Sequence, residues 1–300
     1  MKMKNLVGIV LWMAAVYALN FFFAFTLNAY HLQILCLLGI NALMAVSLNF
    51  VIGTTGLFSL GHAGFMALGA YTAAALTVYS SLFFPVALLG GGFMAAFVAL
   101  VIGIPTLRLR GDYLAMATLG MTEIIRVLIL NLDAVGGARG FGDIPEKTNF
   151  FWIYALLGLL VFLTHLILQS SRGKVFLAVR EDEIAAESLG IAVSRQRIIA
   201  FVWSAFWAGI GGGLFAHLNT YLHTNSFTFL KSIEFVAMVV LGGMGSILGS
   251  LSAAALLTLL PELLRVASEF RMILYAVLLV LMMILRPQGL LGKIGKKKNS

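Results

Sequence analysis

Long, nearly charge-free apolar blocks leave this chain few possible folds. Stretches such as 85–104 and 150–169 contain no Asp, Glu, Lys or Arg, and each is about the 20 residues that a helix needs to cross a bilayer core of about 30 Å. Hydrophobic residues make up 61% of the sequence and charged residues 11%, against about a quarter charged in a soluble domain. With 300 residues and short connections there is room for about eight to ten such helices. The expected fold is therefore all-α, a polytopic transmembrane helical bundle. Residues 1–300 form a single transmembrane domain, because no segment between blocks is long enough for a separate soluble unit.

Apolar length, breaker residues and flanking charge place the candidate helices at 6–27, 33–51, 57–79, 85–104, 113–131, 150–169, 198–221, 232–250, 251–267 and 271–286. The first could be taken for a signal peptide. Its apolar run is long for one and no small-x-small site closes it, so it reads as a retained helix. The net charge of +8 does not point to nucleic acid, because the basic residues sit at block ends and no aromatic-interleaved basic patch exists. Lys2 and Lys4, Arg108 and Arg110, Arg172 to Arg197, and Arg286 with the basic tail 287–300 fall on one side when ten helices cross. That side is the cytoplasm by the positive-inside rule, so both termini are expected there; eight helices would place them the same way. The single cysteine, Cys36, lies in an apolar run and reads as a small core filler.

The largest cytoplasmic connection, 170–197, contains Arg180, Glu181, Asp182, Glu183, Ala186, Glu187 and Gly190. Its Glu, Ala and Leu residues favour a short helix that Asp182 can cap and Gly190 can end in the left-handed conformation. Ile184, Ala185 and Leu189 can share one face while Glu183 and Glu187 share another. Such a helix either docks on a partner or lies on lipid headgroups, and its acidic stretch disfavours an anionic leaflet.

Two glycine-rich segments interrupt the apolar pattern. One holds Gly53, Gly56, Ser59, Gly61, His62 and Gly64; the other holds Gly242, Gly243, Gly245 and Ser246. Glycine permits close helix approach and also helix breaks where irregular backbone lines a cavity, so these segments read either as tight packing or as part of a translocation path or its gate. His62 alone reads as a hydrogen-bonded structural residue. Glu123 and Arg126, three apart within an apolar block, share a helix face; they form a polar lining or latch, or a structural ion pair, with Arg126 otherwise snorkelling outward. Asn41, Ser47 and Asn49 can form interhelical hydrogen bonds.

Catalytic signatures are missing. No GxxxxGK[ST] stretch, HExxH, GxSxG or clustered metal-ligand pattern occurs, so no cofactor or metal is expected. ATP-driven transport would need an ATPase on another polypeptide.

Taken in order, these motifs resemble a known family. Ser47 to Gly64, Leu107 to Ala115 continuing to Thr118–Gly120 and Glu123–Arg126, Arg180 to Gly190, and Gly242 to Ser246 with Gly249 together are similar to branched-chain amino-acid ABC importer permeases, the LivM-type subunit in particular, over roughly residues 40–290. The resemblance implies import of Leu, Ile and Val across a bacterial inner membrane. It also implies a heterodimer with a second homologous permease, two cytoplasmic ATPase subunits seated on 181–190, and a periplasmic substrate-binding protein. Related permeases carry urea, amides or other amino acids, which is the alternative substrate reading. An ion-coupled secondary transporter is the alternative from another class; it would use paired intramembrane acids as relays, and Glu123 is the clear candidate.

Overall fold

The computed structural model describes residues 12–21, 23, 28–109 and 111–263. The described chain is helical: α1 (Trp12–Phe21), α2 (Ala29–Thr55), α3 (His62–Tyr79), α4 (Phe84–Thr106), α5 (Asp112–Leu130), α6 (Phe150–Gln169), α7 (Ser171–Glu181), α8 (Glu183–Ser188), α9 (Val193–Asn219), α10 (Phe229–Gly242) and α11 (Ile247–Leu263). Among the described residues, six helical segments are long and apolar enough to span a membrane: α2, α4, α5, α6, α9, and Thr224–Gly242, which joins a 3-10 turn to α10. The chain is a multi-pass membrane protein. The expected span 271–286, the basic tail 287–300 and both termini lie outside the described residues.

The centre of the bundle is α9, packed against α2, α3 and α4, with α3 and α4 also in contact. Lipid tails give apolar helices no hydrophobic reason to associate, so close approach through small residues carries the packing. Gly69 of α3 meets the Gly209 backbone of α9, and a methyl group on Gly209 would stand 2.6 Å from the Gly91 carbonyl oxygen of α4. The run Ala208–Gly213 is buried throughout. Outer faces of α4 and α5 remain exposed and apolar, as at Phe93, Phe97, Met116 and Leu128.

Connections gather at two ends. At one end Phe141 and Leu222 exchange backbone hydrogen bonds of 2.8 Å, and the Tyr221 hydroxyl donates to the Arg139 carbonyl at 2.7 Å; the Tyr79 hydroxyl likewise donates to the Ala134 carbonyl. At the other end lie the termini of α2, α6 and α10 together with α7 and α8.

Two expected boundaries move. The block 57–79 begins as a non-helical stretch, Gly56–Gly61, before α3 starts at His62. The blocks 232–250 and 251–267 are instead α10 and α11, broken at Gly243–Ser246, because Gly243 and Gly245 adopt positive φ of 98° and 87° that no helix contains.

Candidate functional site

At the end bearing α7 and α8, one side of α8 is anchored to the bundle and the other is exposed. Asp182 Oδ1 accepts from the Ile184 and Ala185 amides at 2.9 and 3.0 Å, which caps α8. At its far end the Gly190 amide donates to Glu187 O at 2.9 Å and the Ile191 amide to Ala186 O at 3.1 Å. That is a Schellman closure, and Gly190 takes the required left-handed φ of 80°. Ala186 is buried against Val179 and Val193, so one face of α8 is seated. Glu183 also faces the bundle: Arg197 of α9 grips its carboxylate with two bonds of 3.0 and 2.8 Å. Glu181 and Glu187 are exposed, and Ile184 and Leu189 are 76% and 80% exposed. The outer surface is thus two large apolar side chains among acids.

α7 carries this surface to the membrane interior. Phe176 packs edge-on against Phe50 of α2 with ring centroids 5.8 Å apart. One turn on, Arg180 Nη1 donates to the Gly53 carbonyl at 2.7 Å, one of the carbonyls that the end of α2 leaves unsatisfied. Beside it, Asn49 Oδ1 accepts from the Gly245 amide at 2.8 Å. A Cβ on Gly53 would stand 2.5 Å from the Gly245 Cα, and one on Gly245 would stand 2.9 Å from Arg180 Nη1. The two glycine-rich segments therefore meet, with the Arg180 guanidinium wedged at their junction. Gly56 ends α2 in the left-handed conformation. Ser246 starts α11 by accepting from the Gly249 amide at 3.1 Å, and Gly242 packs on the Gly249 backbone.

From Gly56 the chain turns back into the bundle. The first residue of α3, His62, reaches Ser47, eight positions before the end of α2, with Nε2 2.8 Å from Ser47 Oγ. Eight helical residues span about 12 Å, so α3 starts well inside the membrane. Irregular backbone is tolerated there only if protein satisfies its polar groups, and hydroxyls do so. Thr118 Oγ1 accepts from the Leu60 amide at 2.9 Å, the Thr122 hydroxyl donates to the Leu60 carbonyl at 3.3 Å, Ser59 Oγ accepts from the Gly61 amide at 3.2 Å, and Ser232 Oγ accepts from the Ala63 amide at 3.0 Å. Gly61 sits against Thr118 and Met121, and Gly64 sits against Thr122.

Glu123 and Arg126 pair at 2.7 Å on α5. A second pair of the same i, i+3 form, Lys231 with Glu234 at 2.8 Å, lies on α10. The sequence reading missed it, along with the hydroxyls of Thr118, Thr122 and Ser232. A signal was present for the threonines, which stand four apart on one helical face.

Polar backbone at a helix break, a second break tied to it, and a surface segment joined to both fit a membrane permease. Residues 30–286 match the family model described as "Branched-chain amino acid transport system / permease component", and the chain belongs to that family and is a multi-pass inner-membrane protein. It is 40% identical over 255 residues to the high-affinity branched-chain amino acid transport system permease protein LivM of Escherichia coli (strain K12), covering 73% of this chain and 60% of that relative's length. It is 27% identical over 170 residues to the probable branched-chain amino acid transport permease protein LivM of Methanocaldococcus jannaschii, covering 51% of this chain and 49% of the relative. It is also 29% identical over 166 residues to the high-affinity permease protein LivH of Escherichia coli (strain K12), covering 53% of this chain and 52% of the relative. No solved structure matches.

Proposed function

We propose that this chain is the permease subunit of an ATP-driven importer of branched-chain amino acids, a transport component and not an enzyme. Its partners in this reading are a second, LivH-like permease, two ATPase subunits and an extracytoplasmic binding protein. The observation that carries the reading is the Arg180 junction: one side chain joins the segment bearing the exposed Ile184 and Leu189 surface to the two places where the membrane helices break. Similarity to LivM and LivH relatives supports the substrate class.

The mechanism follows from the connections. ATPase subunits seated on α8 and the exposed acids Glu181 and Glu187 move α7 when they close on ATP. α7 cannot move alone, because Phe176 is packed on Phe50 and Arg180 holds Gly53. The displacement passes to the end of α2 and, through Asn49, to the turn between α10 and α11. Those elements flank the broken backbone at Gly56–Gly61, so that gate opens to one side or the other. ATP drives the change only insofar as it binds the two states with different affinity.

The test is reconstitution in proteoliposomes. The full complex should accumulate leucine with ATP and binding protein present, and this polypeptide alone should not. Concentrative uptake by the chain alone would refute the proposal.

A further inference from the structure

The two ion pairs on α5 and α10 are not explained by gating. Arg126 and Glu123 keep 25% and 32% of their side chains exposed, and Lys231 and Glu234 keep 25% and 32%. Their depth can be read along the helices. Glu123 lies eleven residues from the start of α5 at Asp112, and Lys231 lies twelve residues before the Gly243 turn; at 1.5 Å per residue these are about 16 and 18 Å. Half of a bilayer core is about 15 Å, so Glu123 and Lys231 stand within it, while Arg126 lies one turn nearer the end of α5 at Leu130.

Each pair adjoins a residue that touches the first turn of α3. The first turn of α3 touches Thr122 on one side, where a Cβ on Gly64 would stand 3.1 Å from the Thr122 Cα, and Ser232 on the other, through the Ala63 amide. Glu123 follows Thr122 directly and Lys231 precedes Ser232 directly. Lys231 Nζ lies 5.2 Å from the Phe235 ring centroid. Ile124, Leu230 and Ile233, next to the pairs in sequence, are exposed. Partly exposed charges at membrane depth require water or a partner of matching charge. Two cations, two anions and neighbouring exposed apolar side chains match a small zwitterion with an apolar body.

We propose that Glu123–Arg126 and Lys231–Glu234 form an intramembrane contact site for a zwitterionic apolar solute, its carboxylate exchanging onto Arg126 or Lys231 and its ammonium onto Glu123 or Glu234. This rests on the import reading above. It adds a solute-contacting role for the pairs, which a purely structural role would not give them.

Two measurements on the reconstituted complex decide it. In a Cys36→Ser background, Glu123→Cys and Lys231→Cys are each treated with membrane-impermeant cationic and anionic methanethiosulfonate reagents, with Phe93→Cys, on the exposed face of α4, as the comparison. Both sites should react with both reagents at least tenfold faster than Phe93→Cys; failure of both to react would overturn a water-lined site. Second, Glu123→Gln and Glu234→Gln should each lower leucine uptake at least tenfold while ATP hydrolysis and subunit co-purification persist. The neutral doubles Glu123→Gln/Arg126→Gln and Lys231→Gln/Glu234→Gln should not restore it. Restored uptake in the doubles would make the pairs structural, and loss of co-purification in the singles would make them subunit contacts; either overturns the proposal. If the unmodified complex imports no leucine, the import reading fails, while reagent reactivity still reports on the site.

Discussion

Replacing Gly53 with alanine puts the junction between the two helix breaks under direct load. The new methyl carbon would stand 2.5 Å from the Gly245 Cα, whereas carbon atoms rest at about 3.5–4.0 Å. Both sides are backbone, so no side chain can swing away, and α2 must part from the turn by about 1 Å or more. The 2.8 Å bond from the Gly245 amide to Asn49 then opens beyond the roughly 3.2 Å limit of a good hydrogen bond. Loss of that bond is worth about 0.5–1.5 kcal/mol and overpacking costs about 1–3 kcal/mol. Together they are about 1.5–4.5 kcal/mol against the arrangement described, or roughly 10- to 2,000-fold in its population. Leucine uptake by the reconstituted complex should fall at least tenfold, and the permease should melt at lower temperature in detergent. Gly120→Ala is the matched control: it sits inside α5, where a methyl group meets nothing within 4 Å, and should stabilise by about 0.5–1 kcal/mol. Wild-type uptake and melting for Gly53→Ala would refute the reasoning.

Other perturbations read other links of the same chain. Glu181→Lys with Glu187→Lys should abolish uptake and ATPase co-purification without reducing membrane insertion, because both carboxylates are exposed beside Ile184 and Leu189; full ATPase occupancy in the mutant would defeat this. Gly61→Leu should block uptake, whereas Gly61→Ala should be tolerated, since its methyl meets chiefly the flexible end of Met121 at 2.7 Å; equal uptake by both would show the close approach to be dispensable. Arg197→Ala should loosen α8 by about 1.5–3 kcal/mol through loss of a charged bond pair to Glu183, seen as faster proteolysis within 182–190; unchanged cleavage argues against the clamp. Thr118→Val strands the buried Leu60 amide at about 1–3 kcal/mol and should shift basal ATP hydrolysis of the complex, while Thr118→Ser should not; identical rates in the two variants would exclude that role.

What the sequence made legible was local. Residues 150–169 read as a helix and form one, because Asn149 caps its start, accepting from the Trp152 amide at 3.1 Å, and Ser170 leaves the helical conformation at its end. Asp182 and Gly190 bound α8 as their chemistry dictates. Long-range facts were not legible. The Asn49–Gly245 bond joins residues 196 apart, and nothing local marks them as neighbours; the glycines of 242–246 signalled a possible break, yet the span 232–250 ran through them. Arg195 and Arg197 read as loop because charge was taken for solvent exposure, yet α9 starts at Val193 and Arg197 turns to Glu183. Lys231 and Glu234 went unnoticed for the opposite reason: two charges inside an apolar block look like a helix end until the fold sets their depth.

The size of the contacts explains why such a gate can be driven from outside. Five bonds hold the junction and the break together: Arg180 to Gly53, Gly245 to Asn49, Leu60 to Thr118, Thr122 to Leu60, and Ala63 to Ser232. At about 1 kcal/mol net each, they total roughly 5 kcal/mol. Moving a two-state equilibrium from 1:99 to 99:1 takes about 5.5 kcal/mol of differential affinity. The contacts are thus strong enough to define one state and weak enough for ligand binding on partner subunits to undo them. A continuous helix through Gly56–Gly61 would satisfy its own backbone and offer no such balance. The hydroxyl shell satisfies the irregular backbone in lipid, and because Thr118, Thr122 and Ser232 each stand on a different element from their partners, a small helix displacement changes several bonds at once.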